Sequence, residues 1–462
     1  VKARTPDGKS SVVDVTALFV GDVKRLRPID PEGGNTYGGW MTAKADYKKD
    51  RSILTGVTGG KGCVSVVGEL SYGTTVSFLG LLDLWKDKPQ SIVARRTLRV
   101  LGDPERRMRL CDQRLGLAAK AFKRFSDREQ EAKTDYYVCR RSILDSAGKV
   151  RPVVFYVDTA FDASAYAAVE RGLLLWNDAF AKIGCKDVVR VEPFPADPAF
   201  NDNSLYNNCV RRTGTSNSEL YTASWVDPRS GEILNASVYV YHDVMKLLNN
   251  WLFVQTAQAD ERVRAVTIPE EVIGDGLRYV VAHEVGHCLG YMHNMSASAV
   301  IPVDSLRSPS FTQKYGTTTS IMDYARFNYV ARPGDRERGV KLTPPRFGLY
   351  DYYAVKWLYT PVPDAATAAD EYAVTSKWIT GAAADSVYRF GKQQFSRSID
   401  PRSQSEDLGD DAVKASGYGI ANLKYILGNM NAWIGAQDPD FSQRRTLYDL
   451  SLIHISEPTR LQ

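Results

Sequence analysis

The sequence lacks several features that define whole classes of protein. No apolar run approaches the roughly 18 residues of a membrane-spanning helix, so no membrane span is expected in this chain. Basic and acidic residues nearly balance, 59 against 54, and this small excess indicates no nucleic-acid partner. No internal repeat or low-complexity tract is visible. With 44% hydrophobic and 24% charged residues, the composition is typical of a soluble globular protein long enough for more than one domain.

Cysteine and histidine are also scarce. The 462 residues contain six cysteines with neither a C-x-x-C pair nor a dense framework, so the cysteines do not define the redox compartment. The chain contains five histidines, and three of them fall in the eleven-residue window His283–His293. Imidazole is the commonest metal-ligating side chain, so this concentration of a rare residue indicates a metal site.

The window reads HEVGHCLGYMH. On a helix, His283 and His287 stand one turn apart on the same face, with Glu284 beside them. Gly290 falls where the helix must end, since a residue without Cβ can take the left-handed conformation, and His293 then follows as a third imidazole. Three imidazoles leave one position of a tetrahedral Zn²⁺ open to water, whose proton Glu284 is placed to accept. A bare H-E-x-x-H has a simpler alternative, an exposed helix with two surface histidines.

The window matches the extended zinc signature of the metzincin metallopeptidases, and Ser320–Tyr324 (SIMDY) resembles the Met-turn of that family. The resemblance implies that Met322 forms an apolar floor beneath the histidines without binding zinc. An ordinary core methionine is the alternative. It also implies that Tyr324 approaches the zinc and hydrogen-bonds the tetrahedral intermediate, as in some metzincins, whereas a packed core tyrosine is the other interpretation.

Three longer stretches indicate a more specific family within this resemblance: Ser320–Asp335, Gly348–Tyr359 and Asp400–Asp411. They resemble a family of large secreted bacterial zinc-dependent metalloproteases with domains of unknown function. The resemblance covers roughly residues 90–449. It implies a protein or peptide substrate and an extracytoplasmic location, which is secreted, periplasmic or on the cell surface.

Periodicity and resemblance together predict an α+β fold. We expect residues 1–149 to form a β-rich N-terminal domain that is incomplete at its start. Residues 150–360 are expected to form the zinc metallopeptidase catalytic domain, which is a twisted mixed sheet with an active-site helix and a C-terminal helix. Residues 361–449 would form a truncated C-terminal region.

Both ends of the chain indicate a fragment. The sequence starts at Val1 without a signal-peptide pattern, and Leu450–Arg460 (LSLIHISEPTR) looks like the translation of a sequencing-library adaptor. We interpret residues 450–462 as a non-native, adaptor-derived tail and exclude them from the prediction of the fold.

Local patterns place the main elements. Cys63–Phe78 is predicted to form strands broken by hairpin turns at Gly68 and Gly73. Gly231–Tyr241 alternates as a strand, and the resemblance implies an edge strand that borders the cleft and pairs with an extended substrate, for which this segment is the candidate. The other predictions are strands at Arg151–Val157 and Val188–Val191, helices at Ala163–Ile183, Asp243–Val254 and Phe347–Tyr359, and a helix that begins after Pro269 and runs into the zinc window.

Asp400–Asp411 contains five carboxylates. We predict a solvated acidic loop, because the spacing of an EF-hand is absent. A calcium site is the alternative.

These observations predict a zinc-dependent endopeptidase, with His283, His287 and His293 as metal ligands and Glu284 as general base. One alternative is a catalytically inactive, metzincin-like cell-surface binding module. Glu284 argues against it, because metal binding alone does not require this base. The other alternative is a zinc-stabilised structural protein, which needs a fourth protein ligand. The sequence specifies neither the substrate nor the oligomeric state.

Overall fold

The computed structural model describes residues 2–23, 26–28, 41–60, 62–78, 81–103, 107–127, 130–197, 199–216, 220–394 and 399–456, the last four of these by their backbone alone. The chain divides between Gly102 and Asp103 into two compact units. Of the predicted adaptor-derived tail, residues 457–462 and the side chains of 453–456 lie outside the described residues. None of the described helices has the length and apolarity needed to cross a membrane.

The first unit contains an antiparallel sheet of three long strands, in which the middle strand pairs with both others. Two short strands and one short helix precede the sheet. The elements are β1 (Ala3–Arg4), β2 (Ser11–Val12), α1 (Thr16–Val20), β3 (Met41–Gly60), β4 (Cys63–Phe78) and β5 (Leu82–Arg99).

The prediction of hairpin turns inside Cys63–Phe78 is wrong, because β4 is one continuous strand. Gly68 and Gly73 both pair with residues of β3 and of β5. At Gly73 the missing side chain has a packing reason: a Cβ there would overlap the carboxylate of Asp87, which forms an ion pair with Lys48 at 2.7 Å. Glycine inside a strand therefore marks a close approach here and not a turn.

The second unit is built on a mixed sheet of five strands in the order β11-β12-β10-β8-β9. A separate hairpin of two strands precedes it. The elements up to the end of the sheet are β6 (Ala119–Arg124), β7 (Lys133–Val138), β8 (Val153–Val157), α2 (Ala163–Leu174), α3 (Trp176–Ala181), β9 (Val189–Pro193), β10 (Asn208–Thr213), β11 (Leu220–Val226) and β12 (Ile233–Tyr241). The mixed α+β architecture is confirmed. The strand, helix, strand order at the start of this sheet is also confirmed, except that the predicted helix Ala163–Ile183 is divided at Leu175 into α2 and α3.

The predicted edge strand is wrong. Ile233–Tyr241 pairs on both sides, in parallel with β10 and antiparallel with β11, so it lies inside the sheet. The edge is Leu220–Val226, whose Tyr221 and Trp225 are exposed. The sequence did not predict this strand because Thr, Ala and Ser separate its two aromatic residues and give a weak hydrophobic pattern.

Helices cover the sheet and continue to the end of the described chain. They are α4 (Val244–Thr256), α5 (Glu270–Cys288), α6 (Pro309–Tyr315), α7 (Leu349–Tyr359), α8 (Ala368–Ala382), α9 (Ala412–Ile434) and α10 (Ser442–Ser456), with short 3-10 turns at Glu261–Val263, Val303–Arg307 and Ser386–Tyr388. The predicted helices at Asp243–Val254 and Phe347–Tyr359 are confirmed within one or two residues at each end. The helix that follows Pro269 is confirmed as α5.

The predicted domain boundaries do not coincide with the division of the structure. Residues 107–149 pack with the second unit, where Ile143 is fully buried in the core cluster that also contains the residues of β8 and α5. Helix α9 buries Leu423, Ile426 and Ile434 in the same cluster, so the chain after residue 360 shares the core of the part before it. The four-segment assignment stays a prediction.

Candidate metal centre

Helix α5 carries two of the three histidines. It starts after Pro269, and Glu270 and Glu271 lie in its first turn, where the helix dipole favours acidic side chains. Leu277, Val281 and Cys288 form its buried stripe, as the periodicity predicts. His283 and His287 therefore lie on the same side of one rigid helix that is anchored in the core.

The chain turns sharply after α5 to bring His293 back to the first two histidines. Gly290 has φ +100°, and a Cβ there would overlap the carbonyl oxygen of Cys139. The turn is held by residues 116–118: Ala118 N–H donates to the Gly290 carbonyl at 2.9 Å, and Met292 N–H donates to the Gly116 carbonyl at 2.9 Å. The predicted end of the helix at a left-handed glycine is confirmed.

The three imidazoles converge through their Nε2 atoms. His293 Nε2 lies 3.1 Å from His283 Nε2 and 3.1 Å from His287 Nε2. Each Nδ1 has an oxygen partner instead. These partners are the Ile321 carbonyl at 2.7 Å for His283, the Tyr291 carbonyl at 2.8 Å for His287, and Gln393 Oε1 at 2.6 Å for His293.

These hydrogen bonds decide which nitrogen of each ring carries the proton. A carbonyl oxygen can only accept, so each Nδ1 must be the protonated nitrogen and each Nε2 presents a bare lone pair. Three lone pairs that face one another cannot hydrogen-bond, whereas a cation between them satisfies all three. The spacing fits zinc, because bonds of about 2.1 Å in a tetrahedral site place the nitrogens about 3.4 Å apart. Among the described residues, this triad is the one group of three or more His, Cys, Asp or Glu that could hold a metal ion.

Burial favours the neutral form of the three histidines, which is the form that binds a metal ion. It lowers the pKa of His283 and of His287, and it lowers the pKa of His293 to about 4. The rings therefore stay neutral near pH 7 and keep the lone pairs that bind a metal.

Glu284 lies beside the triad, half-buried, and is hydrogen-bonded to the edge strand. The Thr222 hydroxyl donates to Glu284 Oε2 at 2.5 Å. Burial raises the pKa of the carboxyl to about 7, and the hydrogen bond from Thr222 acts in the opposite direction. A divalent cation in the triad would also lower this pKa, because it favours the charged carboxylate.

Met322 packs against α5 at Gly286, and its role as an apolar floor beneath the histidines stays a prediction. Met322 is buried, and a Cβ at Gly286 would overlap its sulfur and approach Trp176 Cζ2 to 3.0 Å. The turn that carries Met322 is tied to α7 by Asp351, which accepts from Ser320 Oγ at 2.7 Å and from Ile321 N–H at 2.8 Å. No sequence motif singled out this aspartate.

Tyr324 lies beside two of the histidines. Its ring centroid is 4.5 Å from that of His293 and 5.4 Å from that of His283. The guanidinium of Arg326 lies 4.6 Å from the Tyr324 ring and forms an ion pair with Glu406 at 2.8 Å. The structure thus brings Tyr324 to the metal centre and brings part of the acidic stretch close to it.

The prediction of a solvated loop for Asp400–Asp411 is wrong at Glu406 and Asp407, whereas Asp410 and Asp411 are exposed as predicted. Glu406 pairs with Arg326, and Asp407 is half-buried and accepts from Ser298 Oγ at 3.1 Å. Asp400 does lie near solvent, where it pairs with Arg402. The carboxylates alone could not reveal this difference, because their partners lie about 80 to 110 residues earlier in the chain.

Two further residues of types that often bind metals, His242 and Cys288, are not part of the triad. His242 is exposed, and Cys288 is fully buried as a free cysteine on α5. The sequence missed Thr222 and Gln393, which contact Glu284 and His293. Neither residue carries a motif, and the second is 100 positions from its partner.

A cavity of about 500 Å³ opens beside Glu284 and His283. Its apolar wall comes mainly from α4 and from the first residue of the edge strand. The wall includes Leu220, Val244, Leu247, Leu248 and Trp251. His283 and Glu284 therefore border a space that can accommodate a large side chain.

Two family models match the chain. Residues 1–142 match one described as Domain of unknown function (DUF5117), and residues 265–459 match one described as Met-zincin. No curated protein and no solved structure matches. The second match covers α5, the three histidines, the Met322 turn and the segment that contains Gln393. This match and the geometry of the triad support a metzincin-type domain in the C-terminal part of the chain.

Proposed function

We propose that the protein is a zinc-dependent endopeptidase. The observation that carries the proposal is the convergence of three bare Nε2 atoms next to a carboxylate that is not itself part of the ligand group. Such a site has room for water and for a substrate oxygen at the metal. The substrate is a protein or peptide. We also propose an extracytoplasmic location, which rests on the family resemblance alone.

A zinc ion held by His283, His287 and His293 would polarise the scissile carbonyl and lower the pKa of water. Glu284 accepts a proton from the attacking water and then donates it to the leaving amine. Tyr324, whose ring lies beside those of His283 and His293, is assigned to stabilise the negative charge that develops on the carbonyl oxygen. Met322 supports the helix from below.

The edge strand β11 is the proposed docking site for the substrate main chain. Among the described strands it pairs with β12 alone, and its Thr222 contacts Glu284. An extended peptide can add to such an edge through main-chain hydrogen bonds, which leaves side-chain selection to the neighbouring cavity. The sequence alone indicates Gly231–Tyr241 for this role, but β12 is paired on both sides, so we propose β11 instead.

A structural zinc site is less well supported than a catalytic one. It needs a fourth protein ligand, and the described residues place only three candidate ligand groups at the triad. No observation favours the inactive binding module.

Removal of metal tests the proposal. Dialysis against a chelator is expected to abolish cleavage of a mixed peptide library, and one equivalent of Zn²⁺ is expected to restore it, because the three histidines supply no hydrolytic chemistry without the ion. The His287→Ala variant should not regain activity at the same zinc concentration. Undiminished cleavage by the metal-free protein, checked by elemental analysis, would contradict the proposal.

Loss of the Thr222 hydroxyl is expected to slow turnover. In Thr222→Val the carboxylate of Glu284 loses its hydrogen bond, and we expect kcat to fall about tenfold, which corresponds to about 1.4 kcal/mol, near the lower end for a hydrogen bond to a charged group. KM should change less, because the hydroxyl acts on the base. Steady-state kinetics of Thr222→Ser provides the control, since serine keeps the hydroxyl. Equal kcat values for the valine and serine variants would show that the hydrogen bond has no catalytic role.

A further inference from the structure

The segment 389–393 lies against the loop that follows the third histidine. Asn294 is fully buried, and its side chain forms two hydrogen bonds with this segment. Its Nδ2 donates to the Arg389 carbonyl at 3.0 Å, and its Oδ1 accepts from Gly391 N–H at 2.9 Å. Met295 N–H donates to the Gly391 carbonyl at 2.8 Å. The segment is therefore fixed to the residues next to His293 by main-chain and amide hydrogen bonds.

Gly391 is the point of closest approach. A Cβ at this position would overlap the hydroxyls of Ser296 and Ser403. The Ser403 hydroxyl donates to the Lys392 carbonyl at 2.9 Å, which fixes the backbone directly before Gln393. The position of Gln393 is thus set by the packing around it.

Gln393 Oε1 accepts the hydrogen bond from His293 Nδ1 at 2.6 Å. The other two ligands bond to main-chain carbonyls of Ile321 and Tyr291, which are held by the Met322 turn and by the turn after α5. His293 differs from the other two histidines in two respects. It lies beyond the end of α5, and its Nδ1 donates to a side chain instead of a main-chain carbonyl. A second-sphere acceptor of this kind fixes the tautomer and the orientation of a ligating imidazole.

We infer that Gln393 is a positioning residue for His293 and that the segment 389–393 is part of the metal site. The inference rests on the proposed zinc function. Gln393 holds the proton on Nδ1 and thereby directs the Nε2 lone pair toward the other two histidines. The affinity for zinc then depends on a residue 100 positions beyond the ligand that it orients.

The test measures the zinc affinity of the full chain with glutamine, leucine or glutamate at position 393. In Gln393→Leu the new side chain has a similar size but no hydrogen-bond acceptor. This variant is expected to bind zinc about 10- to 100-fold more weakly than the wild type, as for the loss of other second-sphere partners. Gln393→Glu keeps the acceptor and adds negative charge, which makes the imidazole more basic, so it is expected to bind at least as tightly as the wild type. Competition with a chromophoric chelator measures each dissociation constant.

The visible spectrum of the Co²⁺-substituted protein gives a second readout, because its bands depend on the ligand geometry. We expect altered bands for Gln393→Leu and wild-type bands for Lys377→Ala, an exposed position on α8 outside this segment that serves as control. Gly391→Ala, which displaces the segment while keeping Gln393, should weaken zinc binding in the same direction as Gln393→Leu.

The inference is overturned if Gln393→Leu binds zinc within twofold of the wild type with an unchanged Co²⁺ spectrum, or if Gln393→Glu binds more weakly than Gln393→Leu. The thermal unfolding midpoint of each metal-free variant separates a change in the site from a loss of fold. If Gln393→Leu does not fold, the comparison of Gln393→Glu with the wild type decides. A wild-type protein that binds no zinc would refute the proposed function instead.

Discussion

Replacement of Glu284 by alanine is expected to lower kcat for peptide cleavage by about 10²- to 10⁴-fold, the range for loss of a general acid–base group. Bound zinc should stay at one ion per chain, because Glu284 is not among the converging ligands. The loss is large because the carboxylate acts twice in the proposed reaction, first as acceptor and then as donor of the proton. Single-turnover kinetics together with elemental analysis measures both quantities.

Two further variants make this experiment specific. Glu284→Gln keeps the size of the side chain and can still bond to Thr222, yet it cannot accept the proton, so it should be nearly as slow as alanine. Glu270→Ala removes an exposed carboxylate from the first turn of the same helix and should cleave at the wild-type rate. Near-normal cleavage by either Glu284 variant would refute the assignment of the base.

The second large effect is expected at Gly290. Gly290→Ala should lower the free energy of unfolding by at least about 3 kcal/mol, as expected for backbone strain combined with a steric overlap. Zinc binding should be lost as well, because the residue has φ +100° and the new Cβ would overlap the carbonyl oxygen of Cys139. That oxygen belongs to the backbone and cannot rotate away, so the turn that delivers His293 must move. Chemical denaturation and zinc titration measure the two losses.

Gly184→Ala is the matched control for this prediction. Gly184 has φ +83°, so alanine suffers a similar backbone strain there, but nothing lies within 4 Å of the new Cβ. We expect a loss of about 1 kcal/mol from the strain alone, with zinc binding unchanged. Equal losses at Gly184 and Gly290 would mean that the contact with Cys139 has no part in forming the site.

The features predicted correctly from the sequence are those that depend on neighbouring residues. The start of α5 after Pro269, its end at Gly290 and the shared face of His283 and His287 all follow from helical spacing and capping within about 20 residues. The third histidine could be placed because the turn is short. Each of these signals is local, so no knowledge of the tertiary fold was needed.

The features that the sequence did not reveal depend on partners far along the chain. Thr222 and Gln393 lie 62 and 100 positions from the side chains that they contact, and neither residue type predicts such a contact. The edge strand was assigned to the wrong segment, because strand order depends on pairing and not on periodicity. The sequence predicts a solvated Glu406, because its partner Arg326 lies 80 positions earlier in the chain.

The hydrogen bond between Thr222 and Glu284 has a consequence for how the protein distinguishes its substrates. The strand expected to receive the peptide is the same strand that orients the base, so a poorly fitting peptide that shifts this strand also misaligns proton transfer. Discrimination is then expected to appear in the rate of the chemical step more than in the strength of initial binding. A weakly cleaved peptide could therefore occupy the cleft as tightly as a good one and act as a competitive inhibitor.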